Sequence, residues 1–416
     1  MKLFYTWGER GWCYFILLMV FGVNLAYEFT RYHEFMSESE REILAKVVHV
    51  SEREKNGFKY TVLRLEHEKF IIFTTSRSLK FKQNDDISAT IHTLDISFTD
   101  FLRQRFFAPT SNLQFVKNEE GKSLRAKILA NIAAQHKSIK ITELYSALFM
   151  AAPISQELRD DVMRLGVSHL VAISGYHLGV IMAFFFVLLT PVFRFAYAKI
   201  CPWRNYKFDI FLLAFCFCAI YFLLIGFVPS FLRAFFMALF GFFLLVRGVR
   251  VVDYEMLLLC VCVLVAVFLG LLFNIGFYLS VAGVFYIFLY CRYFGDKFGL
   301  LAHSFWLNLY LFCAMQVCVL YFFQILAPTQ VLVIPVSYIF SIFYPVSFIL
   351  HIFGFGGLFD VWLEKFLNLT ATTSQIKIEL WQFLLYNVIS LSAIKSRALM
   401  IFVGMIGVFI FVVFQI

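Results

Sequence analysis

Two histidines, two serines and three glycines crowd one otherwise apolar stretch, Leu165–Ile181, where a charged region gives way to a hydrophobic half. Ser174 and His177 are three apart, about one helical turn, so a hydroxyl and a base could meet. A serine nucleophile would also need an oriented base and an oxyanion hole. His169 and His177 are eight apart, so on one continuous helix they could share a face, contact phosphate or hold a file of water. The plainer alternative leaves His169 at a membrane interface and has His177 bond a neighbouring helix. A metal centre has little behind it, because no carboxylate or third histidine is close in sequence. Gly175 and Gly179 make a small-xxx-small pair, and Ala172 extends the narrow face, so a second helix could come close. Polar groups in such a segment turn to protein or to a wet cavity rather than to lipid, which makes this helix a candidate to line a path.

The elements that must hold this stretch are membrane helices. The chain of 416 residues is 61% hydrophobic, 19% aromatic and only 15% charged, and its mean hydropathy is +0.79. That is more apolar surface than one soluble core can bury. The expected fold class is a polytopic α-helical membrane protein with a small β-rich, OB-like extracytoplasmic domain. A net charge of +9 suits cationic cytosolic loops or an anionic partner. The nine cysteines sit in or beside apolar segments, apart from Cys201 in a short loop. None falls between residues 28 and 168, so the outer region needs no disulfide, and no pattern resembles a zinc site.

Lys2 and Arg10 precede the apolar run Gly11–Tyr27, just long enough to span at about 17 residues. Cationic flanks in front and no small-residue cleavage site behind predict a retained anchor with a cytoplasmic N-terminus. Residues 28–168 are then extracytoplasmic. Strand-like runs appear at Ile43–Val50, Phe58–Glu66, Lys69–Thr75 and Ile87–Ile96, with turn residues at Asn56-Gly57 and at 83–86. Short amphipathic helices follow at Ser123–His136, Thr142–Met150 and Ser155–Leu165, with Ser155 as an N-cap. Apolar runs then recur at 170–192, 209–228, 231–247, 254–273, 275–291, 302–325, 331–353, 381–394 and 398–414. Arg194, Lys199, Arg204 and Lys207, then Arg247 and Arg250, then Arg292 and Lys297 all fall inside on simple alternation. Continued alternation puts Lys395 and Arg397 outside, unless Pro335 and Pro345 split 331–353 into two re-entrant half-helices. The domains read as an anchor at 1–27, a β domain at 28–110, a helical lead-in at 111–168 and a multi-pass domain at 169–416.

Further along, Pro229 and Ser230 should break or bend the helices and leave backbone groups needing partners. Arg233, one turn on, either snorkels or grips phosphate; the helix starting near Ser230 could also offer N–H groups to an anion. Asn274-Ile275-Gly276 reads as a tight turn, with Gly276 a packing residue and Ser280 a lining candidate. In the outer domain Lys59, Arg64, Lys69, Arg77, Lys80, Lys82, Arg103 and Arg105 are candidate contacts for an anionic partner. Acidic residues are interleaved among them, so the surface is only slightly basic, which suits cargo that must move on. Some of the 55 phenylalanines could stack on bases.

Residues 122–181 resemble the competence domain of the ComEC family, inner-membrane channels for DNA uptake in transformable bacteria. The likeness lies in Gly166-Val-Ser-His169 followed by Leu170-Val-Ala-Ile-Ser-Gly-Tyr-His177, similar to "G-x-x-HLLAISGLH" with Tyr176 for a common Leu. Gly226-Phe-Val-Pro-Ser230 with Arg233-Ala234, and Gly276-Phe-Tyr-Leu-Ser280 with Ala282, follow in the family's order. The resemblance implies a channel in the bacterial inner membrane that carries single-stranded DNA from periplasm to cytoplasm. The partners it implies are membrane lipid, a periplasmic DNA receptor, and a cytosolic ATPase or single-strand-binding proteins. Longer members carry a β-lactamase-like domain thought to degrade one strand. No HxHxDH-like cluster occurs here, so a form lacking that domain and without enzyme activity is expected. No cofactor or metal is expected. No GxxxxGK[ST] motif occurs either, so energy would come from a partner ATPase or an ion gradient. Two other functions compete. Ala172-Ile173-Ser174-Gly175 is similar to the Gly-x-Ser-Gly of rhomboid proteases, with His303 the only base in view. A small-solute transporter would be expected to show internal repeats, and none is visible.

Overall fold

The computed structural model describes the chain except residues 1–3, 5, 56–57, 68–69, 77–80, 82–84, 94, 117–123, 201, 227, 247–252, 296, 298 and 415–416. The side chains at 49, 52–55, 58–59, 229–230 and 244–246 also lie outside that description. The chain divides into two compact units, residues 2–127 with 258–274, and residues 128–257 with 275–416.

In the first unit, helix α1 (Trp7–Met36) starts on a reciprocal capping box between Thr6 and Glu9. It runs well past the apolar stretch because its last turns have a core to cover: Phe35 is buried, and the Tyr32 hydroxyl donates to the Ile96 carbonyl at 2.8 Å. Asn24, midway along, donates to the carbonyls of Ala266 (3.0 Å) and Val267 (2.8 Å), two acceptors left over at the end of another helix.

The strands are β1 (Glu40–Lys55), β2 (Phe58–His67), β3 (Phe70–Ser76) and β4 (Asp86–His92). β1 is longer than its sequence run because pairing extends into polar residues, β2 and β3 are close to theirs, and β4 stops at His92, short of the expected Ile96. Helix α2 (Phe98–Arg103) then leads into β5 (Arg105–Phe107) and β6 (Thr110–Phe115). The sheet order is β5-β3-β2-β1-β4-β6. The long β1 pairs antiparallel with both β2 and β4, with a register shift between Val47 and His49. β3 and β5 are parallel, and β4 and β6 antiparallel. The two edges of the sheet are therefore consecutive pieces of one bent segment, drawn together where Ala108 N–H donates to Phe73 O (2.9 Å) and Thr74 meets Thr110 hydroxyl to hydroxyl (2.8 Å). Period-two alternation sends Ile43, Ala45, Val47, Leu63, Leu65, Ile72, Ile87, Ala89 and Ile91 inward, all nearly or wholly buried. The Asn56-Gly57 turn lies outside the described residues.

The helical unit contains α3 (Leu124–Ala134), which begins in the preceding segment, α4 (Ile139–Met150), α5 (Gln156–Arg164), α6 (Ser168–Val171), α7 (Gly175–Ile200), α8 (Tyr206–Ile225) and α9 (Pro229–Val246). It continues through α10 (Tyr254–Val267), shared with the first unit, to α11 (Ile275–Phe294), α12 (Leu300–Phe323), α13 (Val333–Ile352), α14 (Asp360–Leu367), α15 (Leu380–Ser392) and α16 (Arg397–Val413). Among the described residues six helical segments are long and apolar enough to cross a membrane: α1, α7, α8, α11, α12 and the run Pro328–Ile352 that includes α13. The apolar runs after 231, 254 and 398 give shorter helices. The re-entrant alternative for 331–353 does not occur: α13 is continuous, with Pro335 in its first turn, where no N–H is needed, and Pro345 accommodated inside.

Among the described residues two large helical cores form, beside a small cluster of Leu320, Leu326 and Ile376. One joins α4, α5, α7, α8 and α13, and the Tyr221 hydroxyl donates across it to Phe149 O at 2.8 Å. The other joins α11, α12, α15 and α16, where Tyr386 donates to Ala314 O at 2.6 Å. Gly407 of α16 lies directly on the Cys313 backbone of α12, so closely that no side chain fits.

Candidate nucleic-acid interface

The polar stretch does not form one helix. Gly166, at φ +73°, turns the chain beneath Gln330, where a Cβ would lie 3.1 Å from the Gln330 backbone. α6 lasts a single turn, Ala172 is extended, and α7 starts afresh at Gly175. His169 and His177 are therefore not stacked on a shared face, contrary to the eight-residue spacing argument. Ser174 explains the restart: its hydroxyl accepts the Tyr176 N–H (3.3 Å) and donates to His169 O (3.4 Å), satisfying backbone groups at the helix start. The Ser174–His177 contact runs through the backbone: Ser174 N–H donates to His177 Nδ1 at 3.3 Å. The hydroxyl is thus occupied as a cap, not paired with a base, and the His303 ring packs on Tyr290 at 5.1 Å.

His177 is completely buried, edge-on to Phe340 (5.3 Å) and Tyr344 (4.8 Å) of α13. Its Nε2 has no hydrogen-bond partner. It packs against α13, and His169 is the more exposed of the two. Gly175 does allow a close helix contact, with Ala234 of α9 only 3.1 Å from where its Cβ would be, whereas Gly179 faces open space. Tyr176, the residue that departs from the family pattern, donates to Ser337 O at 2.6 Å and so fixes α7 to α13.

A hollow does lie beside the break. Ser168, Ala172 and Ile173 border an apolar cleft of about 360 Å³ with Ala151, Met163 and exposed Arg159. In the neighbouring turn of α5, Asp161 is 7% exposed and pairs with Lys140 and, at 2.5 Å, with Arg164. Burial lowers the Lys140 pKa, but hydrogen bonds and charge from Asp161 and Glu157 outweigh it and raise the pKa above the usual lysine value.

Arg233 lies in α9, whose first residue is Pro229, a position where proline starts a helix instead of breaking one. The Pro229 and Ser230 side chains fall outside the description. Arg233 does not snorkel: it is 3% exposed, its Nε and Nη1 have no hydrogen-bond partner, and its guanidinium lies 5.6 Å from the Phe277 ring of α11. Gly276 is exposed in the first turn of α11 and Ser280 half-buried one turn on.

On the β unit, Arg64 of β2 stands in register with Phe73 of β3, and Phe73 with Phe107 of β5. All three belong to the outward set, Phe107 is 54% exposed, and the Arg105 guanidinium lies 4.9 Å over the Phe73 ring. Two cations and two aromatic faces thus form one strip, a pattern suited to phosphates and bases together. Arg103 is apart from it, 3.6 Å from Asp100 and 5.2 Å over Phe273. The Lys59 backbone pairs with Glu54, and its side chain, with Lys69, Arg77, Lys80 and Lys82, lies outside the description. Sequence reasoning named the arginines but not Phe73 and Phe107; period-two alternation through β3 was the available signal for Phe73, and the three-residue β5 offered none for Phe107.

No curated protein and no solved structure matches this sequence. The profile of the family described as Competence protein matches residues 151–415, well over half of the chain. It takes in the α6–α7 break, Arg233 and the α11 turn, and suggests a role in DNA uptake. The chain belongs to the Competence protein family.

Proposed function

We propose that this protein is a multi-pass channel that passes single-stranded DNA across the bacterial inner membrane, not an enzyme. Its N-terminus is cytoplasmic, and residues 28–168 form a periplasmic receiving region with an OB-like barrel. The barrel reading is supported by the long β1 pairing on both sides, the parallel β3–β5 pair and the bent last segment that returns to β4. The Arg64, Phe73, Arg105 and Phe107 strip takes the strand from a periplasmic receptor. A cytosolic ATPase or single-strand-binding proteins draw it inward.

The observation that carries the proposal is Arg233. A guanidinium at the centre of an apolar helix costs about 2.5–3.5 kcal/mol on insertion scales. Here two of its donor nitrogens stay unmatched in the protein interior. Such a group is stabilised when an anion arrives, and a moving phosphate chain is an anion that comes and goes. The test is compartmental. Cells lacking the protein should still take labelled DNA into the periplasm while none reaches the cytoplasm; unchanged cytoplasmic arrival overturns the reading.

A further inference from the structure

Outside the residues considered so far, three ionisable side chains far apart in sequence meet inside the helical unit. His136, just after α3, places Nδ1 3.0 Å from both carboxylate oxygens of Asp360 in α14. Its Nε2 lies 3.0 Å from Nε2 of His351 in α13. The Nδ1 of His351 lies 2.7 Å from Ser347 O. The His136 side chain is fully buried and that of Asp360 is 21% exposed.

Counting hydrogens decides what this array contains. A carbonyl oxygen only accepts, so His351 carries its proton on Nδ1. A carboxylate only accepts, so the His136–Asp360 contact also needs a proton. The two Nε2 atoms, at hydrogen-bond distance, need a third between them, or two lone pairs would face each other. Two neutral imidazoles supply only two. From this geometry we infer that His136, His351 and Asp360 form a buried proton-binding site, holding one proton more than two neutral rings, with Asp360 balancing its charge.

The surroundings fit a cation in a confined place. From α4, the Tyr145 ring stacks on His136 at 4.6 Å and 8° and lies 4.5 Å from His351; its hydroxyl has no hydrogen-bond partner. From the end of α3, Gln135 donates to His351 O at 3.1 Å and accepts from Gly356 N–H at 2.8 Å, which closes the site below. Lys137, next in sequence, is exposed. A metal ion is the rival occupant, since imidazoles anchored through Nδ1 are typical metal ligands. Asp360 meets the far ring nitrogen of His136, and among the described residues no group of three or more histidines, cysteines or carboxylates is placed to hold a metal ion, whereas a zinc site needs three or four ligands. The proton is what two facing nitrogens can hold.

The consequence is a latch. With the shared proton, the end of α3 is bonded to α13, the helix that also packs His177 and fixes Tyr176. Without it the facing lone pairs repel and the contact opens. Stability from the extra proton is present at low pH and lost as pH rises through the titration of the array. The test is hydrogen–deuterium exchange of the full chain in nanodiscs, from about pH 5 to about pH 9, corrected for intrinsic exchange. Peptides covering residues 133–137 and 349–358 should lose protection by about tenfold or more as pH rises, equivalent to one pKa unit of linkage. His351→Gln can accept the His136 N–H without an extra proton, so it should keep protection but lose its pH dependence. Asp360→Asn, which removes the balancing charge, should flatten the profile as well. Flat protection in the unsubstituted chain overturns the proposal, as does an unchanged pH step in both variants. So does protection that depends on added Zn²⁺ and disappears with chelator.

Discussion

The two units treat their polar side chains in opposite ways. Among the described residues of the β unit, the buried polar side chains are uncharged: Thr61, Thr74, Ser76 and Thr93. In the helical unit Asp161, His177, Arg233, Gln316 and His351 are buried, while Leu188, Leu212, Leu223, Ile339, Ile342 and Phe409 are exposed. A water-facing fold hides apolar groups; a fold surrounded by hydrocarbon hides polar ones and has no hydrophobic drive to pull its helices together. The contrast teaches where function can lie. Outer cations on the sheet are available but weak, whereas an inner cation is costly and so must be compensated by structure or by cargo.

The contrast can be sharpened first by attacking the closest helix contacts. Gly407→Val must displace the Cys313 backbone and should cost about 3 kcal/mol or more, read as loss of folded protein on detergent gel filtration. Gly404→Ala, where only the Tyr310 ring lies 3.3 Å from the new Cβ, should be much milder; equal losses would mean that α12 and α16 are not in close contact. The second prediction concerns the sheet. Arg105→Ala with Phe107→Ala should weaken binding of a labelled oligothymidylate by about 1–3 kcal/mol per lost stack, with thermal unfolding unchanged, since both side chains are exposed. Unaltered affinity would leave the strip an ordinary surface. The smallest effect belongs to Ser174→Ala, which should cost about 1 kcal/mol as a lost cap and leave DNA uptake near normal. Complete loss of uptake with intact folding would return the serine to a chemical role.

Local signals were legible in the sequence and distant ones were not. Alternation gave β1 to β4, and Ser155 was placed correctly as the cap of α5, accepting Leu158 N–H at 3.3 Å. The Asn274 turn before α11 followed from the same local rules, whereas Pro229, expected to break or bend a helix, begins α9. The α6–α7 break was missed because Ala172 and Ile173 suit a helix, and only Ser174 turning back on its own backbone reveals it. The burial of Arg233 depends on α11 packing against α9, and the His136–Asp360–His351 array spans residues more than 200 positions apart. No periodicity in a single chain encodes such meetings. The sheet strip lay between these cases, because the alternation was visible but the parallel partner β5, only three residues long, was not.

The central claim, that a buried cation in the helical unit meets passing phosphates, is tested most directly at Arg233. Arg233→Met removes an uncompensated buried charge and keeps the volume, so the purified protein should be as stable as the original or more so, by about 1–4 kcal/mol. In transforming cells carrying this variant, labelled DNA should collect in the periplasm and fail to reach the cytoplasm. If the stable Met variant delivers DNA to the cytoplasm at the original rate, Arg233 does not meet the cargo and the account is wrong.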